Sequence, residues 1–176
     1  MSYIMKEIIS AANSAVIKAA SLKNKKYRDL HGLYIIEGRR AVTDSIKQRA
    51  EIESVFIQKG FDFTLHGLPK HIALYEVSSE IMKKICGTVT PQGIAATVKI
   101  PPPKKAENIS RCLVLDKISD PGNMGTIIRS AAACGIYDIF LCGCCDPYND
   151  KCVRASMGGI NFVNFYGGSF EYIYNS

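Results

Sequence analysis

The chain has 176 residues, 47% of them hydrophobic and 22% charged, a composition that fits one or two folded α/β-sized domains and excludes a disordered polymer. No window approaches eighteen consecutive apolar residues, which excludes a membrane-spanning helix, and MSYIMKEIIS lacks the apolar core of a secretory signal, so cytoplasmic residence is expected. The net charge of +6 is uneven: residues 1–110 carry 17 Lys and Arg against 10 Asp and Glu, and residues 111–176 carry 5 against 6. The basic first part points to a polyanion contact there, with a merely lysine-rich surface as the alternative.

In chain order, Lys6 to Leu30 reads as helical, with Ile8, Ile9, Ala12, Val16, Ala19 and Ala20 broadly at helical spacing. Its second half, KAASLKNKKYR, holds five cations and a tyrosine. Lys23, Lys25, Lys26, Tyr27 and Arg28 are therefore candidates for nucleic-acid phosphate and base contacts, against the alternative of a solvated helix end. LYIIEG is a short β-rich run closed by Gly38, and Arg39 to Arg49 resumes helical character. SVFIQ and ALYEV read as strands. Ser78 precedes a helix that stops near Gly87, and GIAATVKI gives a last strand. These elements form a small α/β domain over residues 1–100.

IPPPKKAENIS follows. Consecutive prolines favour an extended chain, so residues 101–110 read as a semi-rigid Pro/Lys linker. Beyond it RCLVLD and DIFLCG look like strands buried on both faces, and NFVNFY (161–166) like a third. A helix from about Met124 to Cys134, ended by Gly135, and a short helix holding KCVRAS separate them. Strand, helix, strand, helix, strand over residues 111–176 predicts right-handed crossovers and a parallel sheet, whose ligands bind beyond the C-terminal strand ends.

The loop ISDPGN lies at such an end. Gly122 and Gly125 leave amides open for a phosphate, although G-x-x-G is neither a dinucleotide fingerprint nor a P-loop. The plain alternative is a turn followed by a helix cap, with Asn123 as that cap. Arg129, flanked by Ile127, Ile128 and Ala131 to Ala133, is harder to explain as structure. Its planar fork suits phosphate or carboxylate, while Asn123 offers donor and acceptor together. Seven cysteines include Cys142, Cys144, Cys145 and Cys152. Their spacing matches no paired zinc pattern, so reduced thiols and no metal are expected.

LDKISDPGNMGTIIRSAAACG resembles the first motif of the SpoU (TrmH-like) RNA ribose 2′-O-methyltransferases, members of the SPOUT class. CCDPYNDKCVRASMGGINFVNFY resembles their second motif. KYRDLHGLYIIEGRRAVTDSI and TPQGIAATVK resemble the small substrate-binding domain that often precedes the catalytic one. The resemblance implies an S-adenosylmethionine-dependent transfer to ribosomal or transfer RNA by a homodimer. It implies that Asn123 and Arg129 position and activate the ribose hydroxyl, and that Gly125 lets the helix start closely packed. Arg154, Ser156 and Gly158 are implied to lie near the active site and the dimer contact. Glu37, Gly38 and Arg39 match the signature turn of the N-terminal domain, which makes Arg39 and Arg40 a second candidate RNA contact; read as residues alone, EGRR is a strand-to-helix turn with a structural glycine.

The family's third motif, a G-x-E-x-x-G segment and the run that threads back as a knot, does not follow Tyr166. The expectation is therefore an incomplete SPOUT domain without its knot segment or most of its donor pocket, and an isolated chain that does not methylate. The alternative function is a non-catalytic RNA-binding protein or inactive fragment of such an enzyme.

Overall fold

The computed structural model describes residues 4–63, 67–106 and 109–168. Contacts divide the chain into two compact units, Met1–Ile100 and Pro101–Ser176. Among the described residues no helix is long and apolar enough to cross a membrane.

The first unit begins with strand β1 (Met5–Ile8), then helices α1 (Ser14–Ser21) and α2 (Lys25–His31). The single helix expected from Lys6 to Leu30 is thus a strand and two short helices. Two asparagines explain the break, because the Asn13 side chain accepts from the Ala15 N–H and that of Asn24 from the Lys26 N–H. Each starts a new helix instead of continuing an old one. Ile8 and Ile9 do not share a helical face: Ile8 is buried and Ile9 exposed.

Strand β2 (Leu33–Glu37), helix α3 (Arg39–Lys47), strands β3 (Ile52–Gln58) and β4 (Ala73–Val77), helix α4 (Ser79–Cys86) and strand β5 (Ile94–Lys99) complete the unit. The sheet order is β1-β4-β3-β5-β2, with β4 parallel to β1 and β3, and β5 antiparallel to β3 and β2. Helix α4 follows its sequence signals closely. Ser78 caps it by accepting from the Ile81 N–H, and Gly87 ends it in the left-handed conformation. Val16 and Ala19 of α1 and Met82 and Ile85 of α4 close over Phe56 of the central strand, forming a core cluster from which water is excluded.

The second unit contains β6 (Cys112–Asp116), α5 (Pro121–Ala133), β7 (Asp138–Cys142), α6 (Asp150–Ala155), a 3-10 turn at Gly159–Asn161 and β8 (Asn164–Gly167). Its three strands are parallel in the order β6-β7-β8, as the alternating pattern predicts. Only the middle strand is deeply buried. β6 is an edge, with Cys112 and Asp116 exposed and Leu113 and Val114 half-buried, so an apolar run did not mean cover on both faces. The third strand begins at Asn164 and not Asn161, because the 3-10 turn takes up the first residues of that run. Asp138 ties β7 to β8: its Oδ1 accepts from Asn164 Nδ2 and from the Tyr166 hydroxyl, each at 2.9 Å. Burial, and then this bond, push the Tyr166 phenol above its usual range. The segment after the third strand, where the next helix is expected, falls in residues 169–176 and lies outside the described residues.

Candidate functional site

The three parallel strands end together, Asp116 opposite Cys142 and Leu141 opposite Gly167, and the loop after β6 leads straight into α5. That helix starts at Pro121, with Asp120 as its cap. The Asp120 carboxylate accepts from the Asn123 N–H at 2.8 Å, so Asn123 is not the cap but a residue of the first turn. An acid before a proline at the first helical position explains the earlier start. The C-terminus matches expectation: Gly135 has φ +70°, and the Gly135 and Ile136 amides donate back to the Ala132 and Ala131 carbonyls.

Asn123 and Arg129 are both exposed, and neither side chain forms a hydrogen bond or ion pair with a described residue. Six residues of helix separate them by about 9 Å in rise and about 120° in azimuth, so they occupy neighbouring faces of α5 and not one face.

What fixes Arg129 is the packing of its backbone. Gly125, one turn earlier, meets α6 so closely that a Cβ there would lie 2.6 Å from the Ala155 Cβ and 2.9 Å from the Ser156 nitrogen. Gly159 meets α5 from the 3-10 turn, where a Cβ would lie 3.0 Å from the Arg129 Cα. The second motif is thus folded onto the first through two glycines, and the guanidinium leaves from the seam. Gly159 has no sequence signal of its own, since the adjacent Gly158 carries the left-handed conformation, φ +87°, that the turn needs.

Of the remaining second-motif residues, Ser156 and Arg154 bond within their own segment, and Lys151 crosses to α5. Ser156 is fully buried, and its hydroxyl donates to the Val153 carbonyl at 2.7 Å. Arg154 pairs with Asp150 one turn back at 3.1 Å. Lys151, with no role foreseen from sequence, reaches Asp120 at 2.8 Å and joins α6 to the cap of α5. That ammonium, and then the Asn123 N–H, hold the Asp120 carboxyl below its ordinary range.

Thiols line the same strand ends. Cys144 donates to the Leu115 carbonyl at 3.2 Å, and burial pushes the Cys152 thiol up to about 12. Burial first, and then Asp116, raise Cys142; burial, with Cys144, Asp120 and Asp146 among the neighbours, raises Cys145. Among the described residues no three metal-ligating side chains converge.

In the first unit the basic stretch is largely committed internally. Arg28 is only 2% exposed, and its Nη1 donates to the Leu22 and Lys23 carbonyls at 2.7 and 2.9 Å. It is a staple of the α1–α2 junction and not a surface cation, which corrects its placement among RNA contacts. Lys23 donates to the Lys84 carbonyl, Lys25 pairs with Asp29 and Lys18 with Glu53. Lys26 lies over the Tyr27 ring, itself stacked on His31. Arg40 pairs loosely with Asp44 at 3.6 Å. Arg39 instead sits against Phe61 and Phe63, aromatic residues that its own segment does not announce.

Comparison with known proteins follows the same division. Residues 13–96 match the MRM3-like substrate binding domain, and residues 110–174 match the SpoU rRNA Methylase family. The 23S rRNA (guanosine(2553)-2′-O)-methyltransferase RlmP of Bacillus subtilis is 32% identical over 155 residues, covering 88% of this chain and 62% of that protein. The human mitochondrial rRNA methyltransferase 3 is 35% identical over 150 residues, covering 78% of this chain and 35% of that protein. The chain thus spans about a third of the mitochondrial relatives' length. The crystal structure of an AdoMet-bound rRNA methyltransferase from Sinorhizobium meliloti superposes with a TM-score of 0.82 at 26% identity, over 97% of this chain and 67% of that one. The first unit thus carries an MRM3-like substrate binding domain and the second a SpoU rRNA Methylase family domain, in that order.

Proposed function

We propose that this chain serves an S-adenosylmethionine-dependent RNA methyltransferase that modifies the ribose 2′-hydroxyl of ribosomal or transfer RNA, acting as a homodimer. The observation that carries the reading is Arg129, an exposed guanidinium whose backbone is clamped where the two methylase motifs meet. The names of the relatives support the substrate: rRNA for both, and a guanosine 2′-oxygen for the Bacillus subtilis enzyme.

The donor fits the electrostatics of the strand ends. Asp116 and Asp146 stand near Cys142 and Cys145 at these strand ends, where a carboxylate suits a sulfonium cation, while Asp120 is already paired with Lys151. Bound there, the donor supplies a methyl carbon open to attack by an oxygen nucleophile. Arg129 acts by orienting the ribose hydroxyl and its neighbouring phosphate and by stabilising charge that develops on the oxygen. Asn123, with a donor and an acceptor on one amide, holds the sugar from the adjoining helix face.

The test is methyl transfer from labelled S-adenosylmethionine to rRNA and tRNA by an enzyme in which these residues are joined to the family's third motif, with product nucleosides identified by mass spectrometry. A 2′-O-methyl nucleoside that disappears with Arg129→Ala supports the reading. A base-methylated product, or an unchanged yield in the variant, overturns it; RNA binding with no methylated product leaves a binding protein and removes the enzyme.

A further inference from the structure

Three segments far apart in sequence meet at one end of the first unit's sheet: the turn Glu37–Arg39, the residues Phe61–Phe63 after β3, and the loop Thr88–Gly93 before β5. Glu37 Oε1 accepts from the Gln92 N–H at 2.9 Å and from the Thr88 hydroxyl at 3.3 Å. Gly38, at φ +100°, lies under the Gln92 side chain, whose Cδ would be 2.9 Å from a Cβ placed there. Gly93, at φ +76°, lies under the Phe61 ring, 2.6 Å from its Cε2 by the same measure. Neither glycine has room for a side chain, so the three segments form one continuous surface.

On that surface Arg39 is fixed rather than free. Its Cζ stands 5.2 Å from the centroids of both Phe61 and Phe63, and its Nη2 donates to the Asp62 carbonyl at 2.7 Å. The two rings are 6.3 Å apart and inclined by 37°. An exposed arginine ordinarily keeps its rotamer freedom, and here two aromatic contacts and one hydrogen bond restrict it. Beside it the exposed amide of Gln92 offers both a donor and an acceptor.

Charge decides which part of a nucleic acid this surface suits. Arg39 shares it with exposed Asp62 and has Glu37, whose Oε2 is buried, two residues before it, while neighbouring Arg40 already pairs with Asp44. A site built only for phosphate would not place carboxylates beside its cations. A flat cation backed by aromatic rings, with an amide at its side, is instead suited to stacking on a base and reading its edge. Only an unpaired base can be reached in this way, because paired bases are stacked within their own helix.

We infer that Arg39, Phe61, Phe63 and Gln92 form a seat for one unpaired nucleobase of the RNA. This rests on the RNA reading above and adds which part of the RNA the first unit grips. A bound base lies on the guanidinium and rings while Gln92 meets its edge. Glu37 is a positioning residue that holds the Gln92 backbone in place.

The experiment measures anisotropy of the whole chain with a 5′-labelled RNA hairpin carrying an unpaired loop, beside a fully paired duplex of the same length. Arg39→Lys keeps the charge and loses the planar stacking group; the double variant Phe61→Leu/Phe63→Leu loses the rings. Each is expected to weaken hairpin binding about tenfold, within the range of one lost base stack, and to leave duplex binding within about twofold. 2-Aminopurine in the loop is expected to be quenched by the native chain and not by either variant. Hairpin affinity and quenching unchanged in Arg39→Lys, whose exposed side chain is not needed for folding, would overturn the seat while leaving RNA binding intact. A native chain that binds neither RNA overturns the seat together with the reading on which it rests.

Discussion

Gly125 of α5 lies against the Ala155 methyl group of α6 with no room for a side chain of its own: a Cβ on the glycine would sit 2.6 Å from the Ala155 Cβ. The two methylase motifs meet at this point, and it is the first place where a small substitution tests the structure. Gly125→Ala is expected to destabilise the second unit by about 1–3 kcal/mol as the helices separate. Gly167→Ala is the control, since nothing lies within 4 Å of a Cβ at that position. Thermal unfolding of the pair checks the difference.

In an enzyme that also carries the family's third motif, Arg129→Ala is expected to reduce methyl transfer about a hundredfold or more, the scale of losing one group aimed at developing charge, with RNA affinity within about twofold. Arg129→Lys keeps the charge and loses the fork, so most of the loss should remain. Single-turnover rates and anisotropy on the same preparations separate the two effects.

Arg28→Met leaves the buried Leu22 carbonyl and the part-buried Lys23 carbonyl without the guanidinium that bonds them. A destabilisation of about 2–3 kcal/mol is expected. The slope of RNA affinity against salt should not change, because this cation does not face solvent. Lys26→Gln is the contrasting surface variant, with little effect on stability.

Asp120 titrates below its ordinary 3.8 in the folded chain because Lys151 and the Asn123 amide favour its charged form. A depressed folded value means stabilisation present above the unfolded value and lost as pH falls through the folded one. Acid unfolding of Asp120→Asn should therefore lack a component that the native chain shows below about pH 3.8, and Lys151→Met should lose part of it.

Cys152 moves the other way. Its thiol is raised from 9.0 to about 12 by burial, so between those values the unfolded chain releases its proton first and folding weakens as pH rises. At pH 8 iodoacetamide should modify the exposed Cys112 and Cys134 and spare Cys152 until the chain is unfolded; peptide mass mapping reads this directly.

The sequence made some of this architecture legible and hid other parts for identifiable reasons. Ser78 and Gly87 bracket α4 because both ends of that helix are set by local chemistry. The parallel order of β6, β7 and β8 follows from strand–helix alternation and handedness. The break at Asn13 and Asn24 was obscured by apolar residues that fit a helix and a strand equally well over a few positions. Within the run of cations, nothing local marks Arg28 as the one that turns inward; that depends on two carbonyls left by the end of α1. In the candidate site, Asn123, Gly125 and Arg129 could be picked out by residue type, but the contact of Gly159 with the Arg129 backbone belongs to the fold. The stacking of Arg39 on Phe61 and Phe63 spans more than twenty positions and leaves no periodic trace.

The bare α-carbon of Gly159 has a practical meaning for anyone redesigning this protein. Its neighbour across the gap is the Arg129 main chain, so the anchorage of that arginine is governed from a second stretch of polypeptide thirty positions away. Exchanging the arginine changes which group is delivered, whereas filling the hollow at 159 moves the point of delivery. Libraries seeking new acceptor specificity should therefore leave both positions untouched, the arginine because transfer depends on it and the glycine because it sets where that arginine is held.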